Sequence, residues 1–346
     1  MELTCDKILL AALLLSAAPF SAGAANKVIY GEDNRKEYFE VPKEKQVQAD
    51  AVVSLWDRSK VSRYESGNFL LSGRPFSEKV FSRDGEKLCA SEPFRDQPIG
   101  AECSGTLVGE DLVMTAGHCI NDQHDCDEMV TVFDFNIKSR DGKAQSVVPA
   151  SSVYLCKAIV ASMNGPAPQT AAAKNGTAKT LDYAIIRLDR KVTGRAPLPI
   201  ARKSVLDTGS PLYTIGHPVG LPAKIADGAS VLNIREGDPF FEADLDTYGG
   251  NSGSGVFNAK TGLLEGILSR GRNDFIRTPE GCYSSEIVSG KPEDGGEVVT
   301  KISIVAGFIP QTDGNSAAPQ TPVNIDSSGL KPEYPKGVTW EKLTGH

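Results

Sequence analysis

From Ala51 to about Phe308 the chain is cut into short apolar runs, each only a few residues long and closed by Gly, Asp or Asn. Thr106-Leu107-Val108, Leu112-Val113-Met114, Val130-Thr131-Val132-Phe133, Ala184-Ile185-Ile186 and Gly266-Ile267-Leu268 are examples. Runs of this length between turn residues read as strands, and many in series predict an all-β barrel or sandwich. With 34 glycines and 21 prolines the chain is punctuated too heavily for long helices, and it shows no heptads and no internal repeat. Its 346 residues allow two domains or one large double-layered unit. The balance of 37 basic and 44 acidic residues, net −7, argues against a nucleic-acid binder held by phosphate neutralisation. No apolar run reaches the ~20 residues that a membrane-spanning helix needs.

The two ends carry their own signals. Ile8 to Phe20 is apolar, follows Lys7 and exits through Ser21-Ala22-Gly23-Ala24-Ala25, which reads as a cleaved export signal over residues 1–25. The plainer alternative is an N-terminal core helix. Export predicts a secreted or periplasmic protein, and the cysteines fit that compartment. Of seven, Cys5 leaves with the signal; Cys89, Cys103, Cys119, Cys126, Cys156 and Cys282 remain, an even set read as three disulfides with fifteen formal connectivities. Residues 26–50 read as a polar arm or short propeptide, 161–180 as an exposed connection between two halves, and 311–346 as a surface tail without a membrane anchor. Asn175-Gly176-Thr177 is a glycosylation acceptor only in a host that glycosylates, and otherwise a loop.

Three segments carry chemistry together: Thr115-Ala116-Gly117-His118-Cys119 at the end of an apolar run, Leu181-Asp182-Tyr183 opening another, and Gly249-Gly250-Asn251-Ser252-Gly253-Ser254 before a third. A serine hydroxyl holds its proton at neutral pH and needs a base to become a nucleophile. Imidazole is suited to take and return that proton. The base in turn needs an acceptor on its far nitrogen to fix its tautomer. Glycines beside the serine let backbone N–H groups converge on a developing oxyanion. Gly250 and Ser252 are the expected donors.

At these residues the chain resembles the chymotrypsin-like (trypsin-like) serine endopeptidases, and within them the bacterial glutamyl-endopeptidase-like branch. The order His, Asp, Ser separates it from α/β-hydrolases and subtilisins, and Ser254 stands where a Gly-x-Ser-x-Gly elbow would need glycine. The resemblance spans roughly residues 28–310. It implies two antiparallel six-stranded β-barrels, expected over 51–165 and 166–310, with the active site in the cleft between them. It also implies a Cys103–Cys119 disulfide around the histidine loop, worth about 3 kcal/mol in the chain-entropy model. Cys126–Cys156 is the second expected bridge, which leaves Cys89 with Cys282. Val28 to Arg35 resembles the mature start of the glutamyl branch, so a brief propeptide is expected to end before Val28. Val299-Thr300-Lys301-Ile302 resembles the last strand.

Taken singly, each motif has a plain structural reading: a core histidine, a strand-opening acid, a glycine turn. Asp189 is a nearby decoy, set aside because it follows its apolar run whereas the family's acid precedes it. His118, Cys119, His124 and Cys126 cluster as zinc ligands can, but an oxidising compartment and a disulfide on Cys119 argue against free thiolates. No metal and no cofactor is expected.

By the resemblance, Asp246, six before Ser252, sits at the base of the primary pocket with Thr247, while Leu268, Ser269, Arg270 and Gly271 form its wall. A buried carboxylate there would favour Lys or Arg before the scissile bond. Leu268 replaces the branch's acid-reading histidine, Arg270 is placed either to neutralise Asp246 or to repel a basic substrate, and Asn251 replaces the acid that in pancreatic members binds the new N-terminus. The expectation is therefore a monomeric endopeptidase acting on polypeptides through His118, Asp182 and Ser252. The alternatives are a catalytically silent binding or adhesion protein on the same fold and an esterase with the same triad.

Overall fold

A computed structural model describes residues 28–166, 180–271, 273–289 and 295–311. The expected export signal, the Asn175 sequon and all of the expected tail beyond residue 311 lie outside them.

Six strands close the first barrel in the ring order Met129–Val132, Val153–Pro166, Thr180–Leu188, Leu112–Thr115, Cys103–Leu107 and Val52–Asp57, every pair antiparallel. Leu112–Thr115 and Met129–Val132 are buried at every position, which is why these runs are continuously apolar instead of alternating. Pro211–Gly216, Gly255–Asn258, Leu264–Arg270, Glu297–Lys301, Phe240–Ala243 and Lys224–Ile234 form the second barrel, closed by pairing between Lys224–Ile234 and Pro211–Gly216. One apolar core, including Val113, Ile185, Ile215 and Ile267, runs across both barrels, and a second core around Phe241, Val256 and Leu268 fills the second.

Two sequence expectations need correction. The first barrel does not end at 165. Its sixth strand is Thr180–Leu188, paired with the long strand Val153–Pro166, so residues 161–166 and 180 belong to two strands of one barrel and the expected connection between halves does not fall at 161–180. Residues from 28 to 50 are not a loose arm either. Ile29–Tyr30 pairs in parallel with Ile287–Val288, Arg35–Lys36 adds an edge to the second barrel, and the helix Lys43–Ala49 is tied through Gln48 to Tyr213 and the Gly262 carbonyl. Arg35 anchors this segment: it pairs with Asp33 at 2.6 Å and lies 4.1 Å from the centre of the Tyr248 ring.

Disulfides link Cys103–Cys119, Cys126–Cys156 and Cys89–Cys282. The last spans 193 residues and fastens the long segment before the first barrel's second strand to the second half. No helix among the described residues is long and apolar enough to cross a membrane.

Candidate active site

The strand Leu112–Thr115 ends in a tight turn, Gly117–Cys119, that carries His118. A Cβ on Gly117 would lie 2.1 Å from the Met163 carbonyl oxygen, so only glycine lets this turn press against the neighbouring strand. Asp182 meets His118 there. Its Oδ1 accepts the His118 backbone N–H at 2.9 Å, and its Oδ2 lies 2.8 Å from His118 Nδ1. Ser269 of the second barrel donates its hydroxyl to the same Oδ2 at 2.5 Å, and Thr300 donates to the Asp182 carbonyl at 3.0 Å. Burial alone would raise the Asp182 pKa. The hydrogen bond and charge of His118, then the Ser269 hydroxyl and the His118 N–H, outweigh it and hold the carboxyl below its ordinary value. An ionised carboxylate only accepts, so His118 Nδ1 carries a proton, and in the neutral imidazole Nε2 is the nitrogen left to accept one. The decoy Asp189 is engaged elsewhere, by Arg190 at 3.1 Å and the Leu155 N–H at 3.2 Å.

Ser252 lies in the loop between Phe240–Ala243 and Gly255–Asn258 and is nearly buried. Its carbonyl accepts the Ser104 N–H at 2.8 Å and lies 3.8 Å from Cys119 Sγ, which sets the serine beside the disulfide that braces the histidine turn. Gly253 has φ +87° and packs directly on the first barrel, where an added Cβ would lie 2.2 Å from the Ser104 carbonyl oxygen. No acceptor among the described residues takes the Gly250 N–H, whereas the carbonyl of the same peptide unit, Gly249 O, accepts the Val219 N–H at 2.6 Å.

The pocket departs from expectation. Both oxygens of Asp246 are occupied by backbone donors of the N-terminal segment, Tyr30 N–H at 2.7 Å and Asn34 N–H at 2.9 Å. Burial, the largest influence, pushes this carboxyl up to about 6 against the pull of those two donors. Asp246 therefore anchors the segment and does not face a substrate cation. Arg270 does not neutralise it. Burial lowers the Arg270 pKa, and the carboxylate that counters this is Asp182. Beside the residues expected to line the pocket lies a carboxylate that sequence reasoning missed, Glu297. It accepts the Thr247 hydroxyl at 3.0 Å, lies 3.5 Å from Tyr30 Oη, and sits where a Cβ on Gly271 would collide with it at 2.0 Å. Thr247, Leu268 and Glu297 are fully buried, and Ser269 is 1% exposed. A charged residue opening an apolar strand was the only sequence signal for Glu297.

Among the described residues, the His/Cys/acid grouping tight enough for a metal ion is Cys103, His118 and Cys119, and its two sulfurs are bonded to each other. Cys126 is likewise bonded to Cys156, so neither cysteine of the suspected zinc cluster is a thiolate. His217, between the strand Pro211–Gly216 and the turn that follows, is buried against Phe135, with Nδ1 on the Leu221 carbonyl at 3.0 Å, and burial lowers its pKa to about 4.

Residues 103–267 match the family model of the trypsin-like peptidase domain. No curated protein matches the chain in sequence. Similar solved structures include a Glu endopeptidase in complex with MPD, at 14% identity and TM-score 0.42, covering 80% of this chain and 96% of that one. The serine endoprotease from Yersinia pestis is 16% identical with TM-score 0.40, covering 77% of this chain and 65% of that one. The Vibrio cholerae VesB protease is 14% identical with TM-score 0.43, covering 82% and 66%. Residues 103–267 thus resemble a trypsin-like peptidase domain, and the two closed six-stranded antiparallel barrels give the chain a chymotrypsin-like fold.

Proposed function

We propose that the chain is an exported serine endopeptidase that hydrolyses peptide bonds through an acyl-enzyme and acts as a single chain without a cofactor. The observation that carries this reading is the double attachment of Asp182 to His118, at the ring and at the backbone, which fixes the tautomer a general base requires. Ser252 Oγ attacks the scissile carbonyl carbon while its proton passes to His118 Nε2. The oxyanion formed takes N–H hydrogen bonds from Gly250 and Ser252. As the C–N bond breaks, His118 gives that proton to the leaving amine. Water then attacks the acyl carbon, its proton passing to His118 and on to Ser252 Oγ as the acid departs. The three disulfides support an oxidising compartment.

The Lys/Arg preference expected from Asp246 loses its carrier, because that carboxylate is committed to the N-terminal segment. Glu297 fills the space beside Gly271 instead, which supports a short primary pocket that takes small side chains.

The test is labelling with a fluorophosphonate probe together with a peptide-library digest, each compared with Ser252→Ala. Labelling at Ser252 and Ser252-dependent amide cleavage are expected. A folded protein that neither labels nor cleaves would be a silent binding protein, and one that cuts only esters would be an esterase.

A further inference from the structure

In this loop the residue before the nucleophile is Asn251, whose Oδ1, among the described residues, takes its hydrogen bond from the neutral Ser254 hydroxyl, at 3.3 Å. An ion pair at that position is therefore not what holds the oxyanion loop in shape. We infer that Ser104, a first-barrel residue, is the positioning residue that does so, through a hydroxyl laid across the two barrels.

The geometry is specific to this side chain. Ser104 lies on the strand Cys103–Leu107 and is fully buried. Its Oγ donates to the Gly250 carbonyl at 2.8 Å and accepts the His217 N–H at 2.9 Å, while its own N–H donates to the Ser252 carbonyl at 2.8 Å. Both residues assigned to the oxyanion as N–H donors are thus held from their C-terminal side by one residue of the opposite barrel, since the gripped carbonyls share peptide units with the Asn251 and Gly253 N–H groups, which donate to the Tyr248 and Leu268 carbonyls. A peptide unit is planar and trans, so its C=O and N–H point in opposite directions. Val219 N–H holds the Gly249 carbonyl at 2.6 Å and so turns the Gly250 N–H away from the Val219 turn.

That turn is itself strained. Val219 has φ +47°, a left-handed conformation that β-branched residues rarely adopt. It starts two residues from the His217 N–H that Ser104 accepts, so one hydroxyl braces both sides of the loop, directly at Gly250 and through His217 at the turn. Strain of this kind persists only where surrounding contacts over-determine it, and the Ser104 hydroxyl is one of those contacts. Alanine at 104 would remove both bonds, leave the buried His217 N–H and the half-buried Gly250 carbonyl without that partner and keep the strand intact.

The inference rests on the peptidase reading, and its test separates the two. Ser104→Ala, Ser104→Gly and Ser104→Thr are compared with the parent for kcat, KM and affinity for a peptide boronic acid, whose tetrahedral adduct needs the oxyanion donors. Complete loss of one such donor costs about 10²–10³ in turnover, so a misplaced one is expected to cost about 10- to 100-fold in kcat. In Ser104→Ala, KM should stay within about twofold and boronate affinity should fall in parallel with kcat/KM. Threonine, which keeps the hydroxyl, is expected to restore most of both. If the alanine variant does not fold, the glycine variant gives the same comparison. A folded alanine or glycine variant with parental kcat and boronate affinity overturns the inference, as does a threonine variant as impaired as alanine. A parent that neither cleaves peptides nor labels at Ser252 refutes the peptidase reading instead.

Discussion

Glu297 accepts the hydroxyl of Thr247 at 3.0 Å, and both side chains are sealed from solvent at the point where the resemblance to serine endopeptidases places a substrate pocket. The carboxylate also rests against Gly271, so the wall that should leave room for a long side chain is already in contact across the gap. In the proposed peptidase, what a substrate can insert here would be set by Glu297 and not by Asp246.

Replacing Glu297 with alanine is therefore expected to lengthen the pocket. The parent should cut mainly after small residues, and Glu297→Ala should gain at least about tenfold in kcat/KM after larger apolar side chains, a gain of roughly 1.4 kcal/mol in transition-state binding. A library digest read by mass spectrometry checks this, and parental cutting mainly after Lys or Arg would contradict it.

Asp182→Asn should lower kcat by about 10³–10⁴ and leave KM within a few-fold. An amide can turn its N–H₂ toward His118 Nδ1 and favour the wrong tautomer. Ser269→Ala removes one hydroxyl from the same carboxylate and should cost about tenfold or less. Steady-state kinetics on the best library peptide measures both effects.

His217 gives the stability curve a slope. Its folded-state pKa is depressed to about 4 from an ordinary 6.5, so between those values the unfolded chain binds more protons. Stability from this group is fully present above pH 6.5 and is lost as pH falls toward 4, by about 3 kcal/mol in all. Urea unfolding across that range should show a smaller rise with pH in His217→Gln than in the parent.

Asp246 acts in the opposite sense. Its folded-state pKa is raised to about 6 from 3.8, so between those values the folded state binds the extra proton and stability declines as pH rises. The swing is again about 3 kcal/mol. The two slopes offset each other in the parent from about pH 4 to 6, and Asp246→Asn should show a steeper rise of stability with pH than the parent. Matching slopes in the two proteins would rule the linkage out.

Much of this fold was legible in the sequence because its signals are local. Short buried strands announce themselves as apolar runs between turn residues, and His118 and Asp182 stand at the run boundaries where the structure brings them into contact. What escaped depended on pairing at a distance. Thr180–Leu188 looks the same whichever barrel owns it, and only its ladder with Val153–Pro166 decides. The position of Asp246 relative to Ser252 does not say which way its carboxylate turns, because its donors, Tyr30 and Asn34, lie 216 and 212 residues away. Glu297 reaches Thr247 across 50 residues, and Ser104 reaches Gly250 across 146, with nothing in either local run to announce the contact.

Asp182 belongs to one barrel, yet the hydroxyls that cover it, from Ser269 and Thr300, belong to the other. Prise the halves apart and its carboxylate meets bulk water, loses its alignment on the imidazole and returns toward the acidity of a free aspartate. Turnover in this molecule would then double as a gauge of how well its halves are docked. Fragments split between the barrels should stay silent when separate and regain chemistry only at the moment of reunion.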